Sequence, residues 1–227
     1  EHGAGGPRPD PFLPYDPDLF VADVSDTHVA LLNKFNVVDH HLLIVTRRFE
    51  EQLSPLTEVD FDAWLACLNP FPSLGFYNAG EIAGASQRHK HLQLVPLPLG
   101  PDGPAVPIAP LLPASPSLDR SAPAERLPFD SAFARTGPPR DAHTRYLEML
   151  AELGLESSGT LTLPYNLLIT PEWMLMVPRT REHFETISIN ALGFAGALLV
   201  RTHEELDRLT VCGPMSALRA TARARGA

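Results

Sequence analysis

Gly84-Ala85-Ser86-Gln87-Arg88-His89-Lys90-His91-Leu92-Gln93-Leu94-Val95 is the stretch on which the fold turns. Its last seven residues predict a β-strand, and the period of two along a strand sets His89, His91 and Gln93 on one face and Lys90, Leu92 and Leu94 on the other. Three polar side chains able to bind or attack then share one surface. The loop before them, Gly84-Ala85-Ser86-Gln87, joins a glycine to a hydroxyl residue and can turn backbone N–H groups towards an anion. Arg88 and Lys90 add positive charge, and no carboxylate lies between Gly84 and Val95. The segment therefore reads as a local basic site for a phosphate-bearing ligand. Imidazole is a competent nucleophile towards phosphorus at neutral pH, because its ordinary pKa of about 6.5 leaves it largely deprotonated. Attack by His91 on an α-phosphorus would give a covalent nucleotidyl-histidine and split one displacement into two.

Working outward, His28 to Leu32 and Val37 to Thr46 read as consecutive strands, and Gly75 to Gly84 and Lys90 to Pro96 as two more. Between the pairs, Phe61, Trp64, Leu65 and Leu68 fall at helical spacing, with Thr57 placed to cap and Asn69-Pro70 to stop. Residues 96–140 differ in kind, since 12 of the 24 prolines lie there, and a long extended connection is expected. Asp141 is expected to cap a helix that carries Ala142, Tyr146, Met149, Leu150 and Leu153 on one face and closes at Gly154. Tyr165 to Thr170 and Trp173 to Pro178 predict a hairpin around Pro171-Glu172. Ile187 to Val200 fits either strand or helix, Thr202 opens a last helix, and Arg219 to Ala227 reads as a frayed tail. Connections this short exclude parallel crossovers, so an antiparallel α+β sheet flanked by helices follows. It is one domain of two halves, 1–95 and 141–227, joined by the Pro-rich 96–140.

Composition narrows the function. The chain has 227 residues, 44% hydrophobic and 20% charged, enough apolar material for a real core and too ordered in pattern for a disordered protein. No apolar run reaches a membrane span and no secretory leader is visible, so a soluble, cytoplasmic protein is expected. It opens on Glu1 rather than Met, and the natural protein is expected to extend further at that end. A net charge of −9 excludes a protein that coats nucleic acid. The two cysteines, Cys67 and Cys212, are read as buried free thiols. A zinc site is disfavoured because His-x-His has no third ligand at a characteristic spacing, and no metal ligands are assigned. His40-His41, inside an apolar run, is read as structural. His28, His143, His183 and His203 receive no role. Lys34 and Lys90 are the only lysines.

The sequence resembles the ATP adenylyltransferase family, the diadenosine tetraphosphate (Ap4A) phosphorylases of the histidine-triad and galactose-1-phosphate uridylyltransferase superfamily. The residues that carry this are Leu32 to Val38 with His41 to Thr46, Phe76 to Gly80, Gly84 to Gln87 with His89 to Gln93, Tyr165 to Thr170 with Trp173-Met174 and Val177 to Arg179, and Ser188 to Gly196. One His-x-His-x-Gln is weak evidence; five blocks in order are strong. The resemblance implies a split antiparallel sheet with His91 as nucleophile, His89 positioning its strand and Gln93 holding a phosphate oxygen. It implies further that Asn78 and Gly84, Ala85, Ser86 and Gln87 contact the nucleotide. Asn33, Lys34, Asn166, Thr170 and Arg179 would enclose it. The implied reaction converts Ap4A and phosphate to ATP and ADP. A protein of net charge −9 would repel a polyphosphate, so Mg²⁺ is expected to travel with the substrate, and a monomer is expected because the second half can complete the sheet. The resemblance also implies an N-terminal lysine-bearing segment at the polyphosphate; nothing before Lys34 is a lysine, so that segment is either missing from this chain or replaced by Arg8. Two rivals stay open on residue types alone, a relative acting on a nucleotide sugar or GDP-sugar and a nucleotide-binding regulatory protein without turnover.

Overall fold

Short runs of β-branched and leucine residues separated by polar turns dominate the first hundred residues, and they pair as strands. The computed structural model describes residues 10–36, 38–113, 122–157 and 160–226. Strands β1 (Phe20–Asp23), β2 (His28–Leu32) and β3 (Leu42–Thr46) follow one another as an antiparallel meander. The strand expected from Val37 to Thr46 is shorter than its apolar run: His40 has φ +58 and the chain turns through 38–40, so regular pairing starts only after His41. Helix α1 (Glu58–Leu68) is capped by Thr57, whose hydroxyl accepts from the Asp60 N–H while the Asp60 carboxylate accepts from the Thr57 N–H. It buries Phe61, Trp64, Leu65 and Leu68, side chains worth about 1.5–3 kcal/mol each when fully removed from water.

Strand β4 (Ser73–Asn78) ends well before Gly84, because Gly80 sits at φ +86 and Glu81–Ala83 form a single 3₁₀ turn. Strand β5 (His91–Pro96) begins at His91; His89 just before it bridges to Glu51. The segment 96–140, expected as connection alone, contributes β6 (Ala122–Pro123) and β7 (Ala132–Arg135) to the sheet. Its prolines flank Ala132–Arg135 instead of interrupting it, and these four residues pair with Trp173 to Met176. Helix α2 (Pro139–Glu152) starts ahead of the expected Asp141 cap, with Pro139 in the first turn where its missing N–H costs nothing. The small hairpin β8 (Glu156–Ser157) and β9 (Thr160–Leu161) leads to β10 (Tyr165–Ile169) and β11 (Trp173–Pro178), the expected hairpin.

Residues 187–200 divide: β12 (His183–Phe184) pairs with β13 (Ile187–Ser188), then Asn190 caps α3 (Ala191–Ala195). Helix α4 (His203–Cys212) has the expected Thr202 cap, and α5 (Pro214–Thr221) follows. The tail is not frayed. Ala222 bridges to Arg179, Arg223 pairs with Asp130, and Arg225 donates to the carbonyls of Ala124 and Leu127. Cys67 and Cys212 are free, but half-buried rather than buried, because each lies at the edge of its helix's apolar face.

Among the described residues the sheet has nine antiparallel strands in the order β1-β2-β3-β5-β4-β10-β11-β7-β6. Outward from the β4–β10 seam the two sides repeat one plan, with β5, β3 and β2 answered by β11, β7 and β6, and α1 answered by α2. Asn78 and Asn166 lie opposite each other at that seam, each preceded by a tyrosine. Helices α1 and α2 cover one face together with Ile44, Leu92, Tyr77, Tyr165 and Met176. The other face packs Phe76, Val95, Leu168, Leu175 and Val177 against α3, α5 and residues 106–112. No helix among the described residues is long and apolar enough to cross a membrane.

Candidate active site

The register assigns faces. Gln93 lies opposite Phe76 and Leu43, and His91 opposite Val45, so His91, Gln93, Phe76 and Asn78 share the face away from α1 and α2. His91 is 4% exposed and its Nδ1 lies 2.8 Å from the carbonyl of His89. A carbonyl can only accept, so Nδ1 carries the proton and Nε2 keeps its lone pair. Nε2 has no hydrogen-bond partner among the described residues. Burial, aided by the nearby His89 and His41 and opposed by the His89 carbonyl, lowers the His91 pKa from 6.5 to about 4. The ring is neutral throughout the physiological range.

His89 spends both ring nitrogens on the protein. Nδ1 meets the Asp10 carboxylate at 2.8 Å, while Nε2 meets the Thr46 and Arg48 carbonyls at 2.8 and 3.1 Å. Both ring nitrogens are taken up in this way, and neither is left for a substrate. Phe12, in the same N-terminal segment as Asp10, packs its ring 5.6 Å from the rings of both His89 and His91. Neither Asp10 nor Phe12 stands out in the sequence, because isolated residues in a Pro-rich opening carry no periodicity.

Two carboxamides on this face have their oxygens held and their nitrogens unspent. Gln93 Oε1 accepts from His41 Nε2 at 3.1 Å, and His41 Nδ1 in turn accepts from Asn33 Nδ2 at 3.1 Å. Asn78 Oδ1 accepts from Asn166 Nδ2 and from the Ala191 N–H, both at 2.9 Å. Neither amide nitrogen, Gln93 Nε2 nor Asn78 Nδ2, has a partner among the described residues. Pinned oxygens leave the NH₂ groups as fixed donors, the arrangement that suits developing negative charge on phosphate oxygens. His41 is thereby part of the site, where the sequence reading has it as structural. The turn at Asp39-His40, where His40 takes φ +58, is obscured in the sequence by the apolar residues on either side of it.

Other expected residues take other places. Lys90 points to the opposite face, 1% exposed, and pairs with Glu50 at 2.6 Å and Asp60 at 3.3 Å. Burial pushes the Asp60 carboxyl up, but the His28 hydrogen bond, the Lys90 charge and the Thr57 donors outweigh it and hold the group below its usual range. Arg88 is exposed and paired with Glu51. The local basic site is therefore not formed by these two cations, whose charges carboxylates from residues 50–60 neutralise. Lys34 is exposed and paired with Asp16 at 3.4 Å.

Thr170 closes the β10–β11 turn, its hydroxyl accepting from the N–H groups of Glu172 and Trp173. It lies four residues along β10 from Asn166, about 13 Å at strand rise, and is corrected to a turn residue. Arg179 is fully buried and encloses no ligand directly. It donates to the carbonyls of Thr221, Ile189, Arg181 and Glu182 and to Asn166 Oδ1, and stacks 5.1 Å from the Phe194 ring. Burial lowers its pKa to about 10, against the pull of Glu182. Asn166 spends its own amide on Asn78 and the Ala83 carbonyl.

Ala85, Ser86 and Gln87 of the expected loop border a cavity of about 700 Å³, together with Gln52, Leu53, Gly80, Arg88 and His89, while Gly84 does not line it. Gly84 has φ +91, and a Cβ there would lie 2.8 Å from that of Asn190, so only glycine fits. His91, Gln93 and Asn78 lie beside this cavity rather than among its lining residues. A second depression of about 660 Å³, between α4 and residues 185–187, contains none of the site residues. Among the described residues no group of three or more His, Cys, Asp or Glu could hold a metal ion.

The site thus sets a neutral histidine with an unpaired Nε2 on a strand of the antiparallel sheet, beside amide donors whose oxygens are held. Residues 2–114 match the Ap4A phosphorylase N-terminal domain and residues 125–224 the ATP adenylyltransferase C-terminal domain. The chain is 30% identical over 241 aligned positions to diadenosine 5',5'''-P1,P4-tetraphosphate phosphorylase 2 of Saccharomyces cerevisiae, covering 88% of this chain and 71% of the yeast protein. It is 29% identical to protein APA1 of the same yeast, covering 89% and 70%. The crystal structure of yeast Ap4A phosphorylase Apa2 superposes with a TM-score of 0.81 at 25% identity, covering 96% of this chain and 83% of that one. The complex of Apa2 with Ap4A gives 0.79 at 26% identity, covering 97% and 82%. The chain belongs to the Ap4A phosphorylase family.

Proposed function

We propose that the protein cleaves Ap4A with inorganic phosphate to ATP and ADP, reversibly, through an adenylyl group carried on His91. Nε2 attacks the α-phosphorus; the N–P bond forms as the P–O bond to the departing ATP breaks. Positive charge then develops on the imidazole, and the Nδ1–H to His89 carbonyl bond strengthens with it. The free NH₂ groups of Gln93 and Asn78 are placed to receive the equatorial phosphate oxygens. Phosphate next attacks the same phosphorus, the N–P bond breaks and ADP leaves, returning Nε2 to its lone pair. The single observation that carries the reading is the Nδ1–H to His89 carbonyl bond, which fixes the tautomer and leaves Nε2 its lone pair for attack.

Asp10, Glu51, Glu81 and Glu182 line the cavity, and Arg88 there is spent on Glu51. A polyphosphate entering such a wall needs its own cation, so Mg²⁺ is taken to arrive with the substrate. Sheet completion within one chain supports a monomer, and two unpaired half-buried thiols suit the cytoplasm. Intact mass after mixing with Ap4A and no phosphate tests the reading. One added adenylyl group, removed by acid and absent in His91→Ala, is expected; an unmodified wild-type protein that still turns over defeats it.

A further inference from the structure

We infer that Gln52 is a positioning residue for transfer at His91, a side-chain amide inserted between two strands so that they part beside the nucleophile. The inference rests on His91 being the nucleophile. Direct pairing of β4 with β5 stops at Phe76 opposite Gln93, although β4 continues to Asn78 and stays paired there with β10. Continuing the β4–β5 register would bring Asn78 opposite His91. Instead Gln52 occupies the place: its Oε1 accepts from the His91 N–H at 2.8 Å, and its Nε2 donates to the His91 carbonyl at 3.2 Å and the Asn78 carbonyl at 3.0 Å. Every donor and acceptor direction needed to replace a peptide group is used, and Gln52 is 2% exposed.

The other half of the molecule supplies an internal control. Asn166, the partner of Asn78 across the seam, is paired directly with Val177, and Tyr165 beyond it with Pro178. Equivalent strands stay zipped where no glutamine enters. Without Gln52 the His91 N–H and carbonyl would either close onto Asn78 or be left unpaired in the interior, and both displace the imidazole. Gln52 comes from the loop after β3, which runs beside the His89 segment through Lys90 N–H to Glu50 and Gln52 N–H to Arg88 bonds. Tyr77 Oη donates to its carbonyl.

The test compares wild type, Gln52→Ala and Gln52→Glu in steady-state phosphorolysis and in the rate of adenylyl-protein formation, with melting temperature in parallel. Misplacement of a nucleophile by about 1 Å costs about 100-fold in rate, so kcat and adenylylation fall by about that factor while KM stays within about threefold. Gln52→Glu regains part of its kcat as pH falls from about 8 to 5, because a buried carboxyl protonates readily and then again accepts from His91 and donates once; Gln52→Ala shows no such recovery. Variants within threefold of wild-type kcat, a rise in KM alone, or a Glu profile parallel to the Ala profile would each overturn the inference. If Gln52→Ala does not fold, a scalar coupling between the His91 amide nitrogen and the Gln52 side-chain carbonyl carbon in the wild type decides; its absence overturns the geometry. Wild type that forms no adduct defeats the functional reading and this inference with it, whereas an adduct with unchanged variants defeats this inference alone.

Discussion

His41 donates from Nε2 to Oε1 of Gln93 over 3.1 Å, and this bond decides which way the Gln93 amide faces. With the oxygen held, the NH₂ must face the open side of the strand. Burial lowers the His41 pKa, against the Gln93 bond, so the ring stays neutral near pH 7 with its proton on Nε2 and Nδ1 accepting from Asn33. His41→Phe keeps a ring and loses the donor. Gln93 is then free to present its oxygen to a phosphate, and kcat is expected to fall about 10- to 100-fold with little change in melting temperature. An unchanged kcat in that variant removes His41 from the site.

His91→Ala is expected to abolish turnover while nucleotide affinity, measured by calorimetry, stays within about tenfold. Among the described residues the imidazole hydrogen-bonds one carbonyl alone, so the fold does not hang on it. Rescue of His91→Gly by added imidazole would restore some phosphorolysis; residual activity in His91→Ala at the wild-type level contradicts the assignment.

The pH dependence follows from a depressed imidazole. With the folded pKa near 4 against 6.5 unfolded, the unfolded chain binds the proton first, so stability is intact above about pH 6.5 and declines as pH falls towards 4. The full span is about 3 kcal/mol by the usual 1.36 kcal/mol per pKa unit. Urea titrations of wild type and His91→Asn between pH 7 and 4 check this, and the gap between them is expected to move in favour of the variant as pH falls. The acid limb of kcat/KM is likewise expected well below the ordinary imidazole range. A limb at 6.5 would place His91 in a solvated environment.

Lys90→Met leaves Asp60 and His28 buried without their cation, and breaking a buried pair by removing one partner costs about 3–5 kcal/mol. Chemical denaturation measures it. The same loss seen as a rise in KM at constant stability would instead return Lys90 to the ligand, as first expected from its place beside His89.

Asn166→Ala removes the donor that holds Asn78 and the oxygen that receives Arg179. A loss of about 2–4 kcal/mol is expected, since a buried guanidinium loses a partner. A fall in kcat is expected too, as Asn78 loses its orientation. Retained kcat in folded Asn166→Ala would show that the Asn78 amide is held by Ala191 alone.

Elements built on local rules were readable from residues. Thr57 caps α1 because a hydroxyl precedes a helical apolar spacing, and Tyr165 to Pro178 pairs because two apolar runs flank a Pro-Glu turn. The strand β7 escaped notice because proline density at 96–140 masked four residues whose pairing partner lies more than thirty residues on. Helix α5 had its signal in Gly213-Pro214, overshadowed by the small basic residues after it. At the site, the alternation of His89, His91 and Gln93 announced a shared face. The neighbours that orient them, His41, Asp10 and Gln52, come from turns and loops, where side-chain direction depends on tertiary contact and leaves no periodic trace.

Asn78 takes its orientation from Asn166 and from the main chain at Ala191, both contributed long after His91 in chain order. His91 is therefore present in the growing chain well before the groups that lock the Asn78 amide. A chain ending anywhere short of Ala191 would lack one of the two donors that hold the Asn78 oxygen, so the first half of the molecule does not orient that amide by itself.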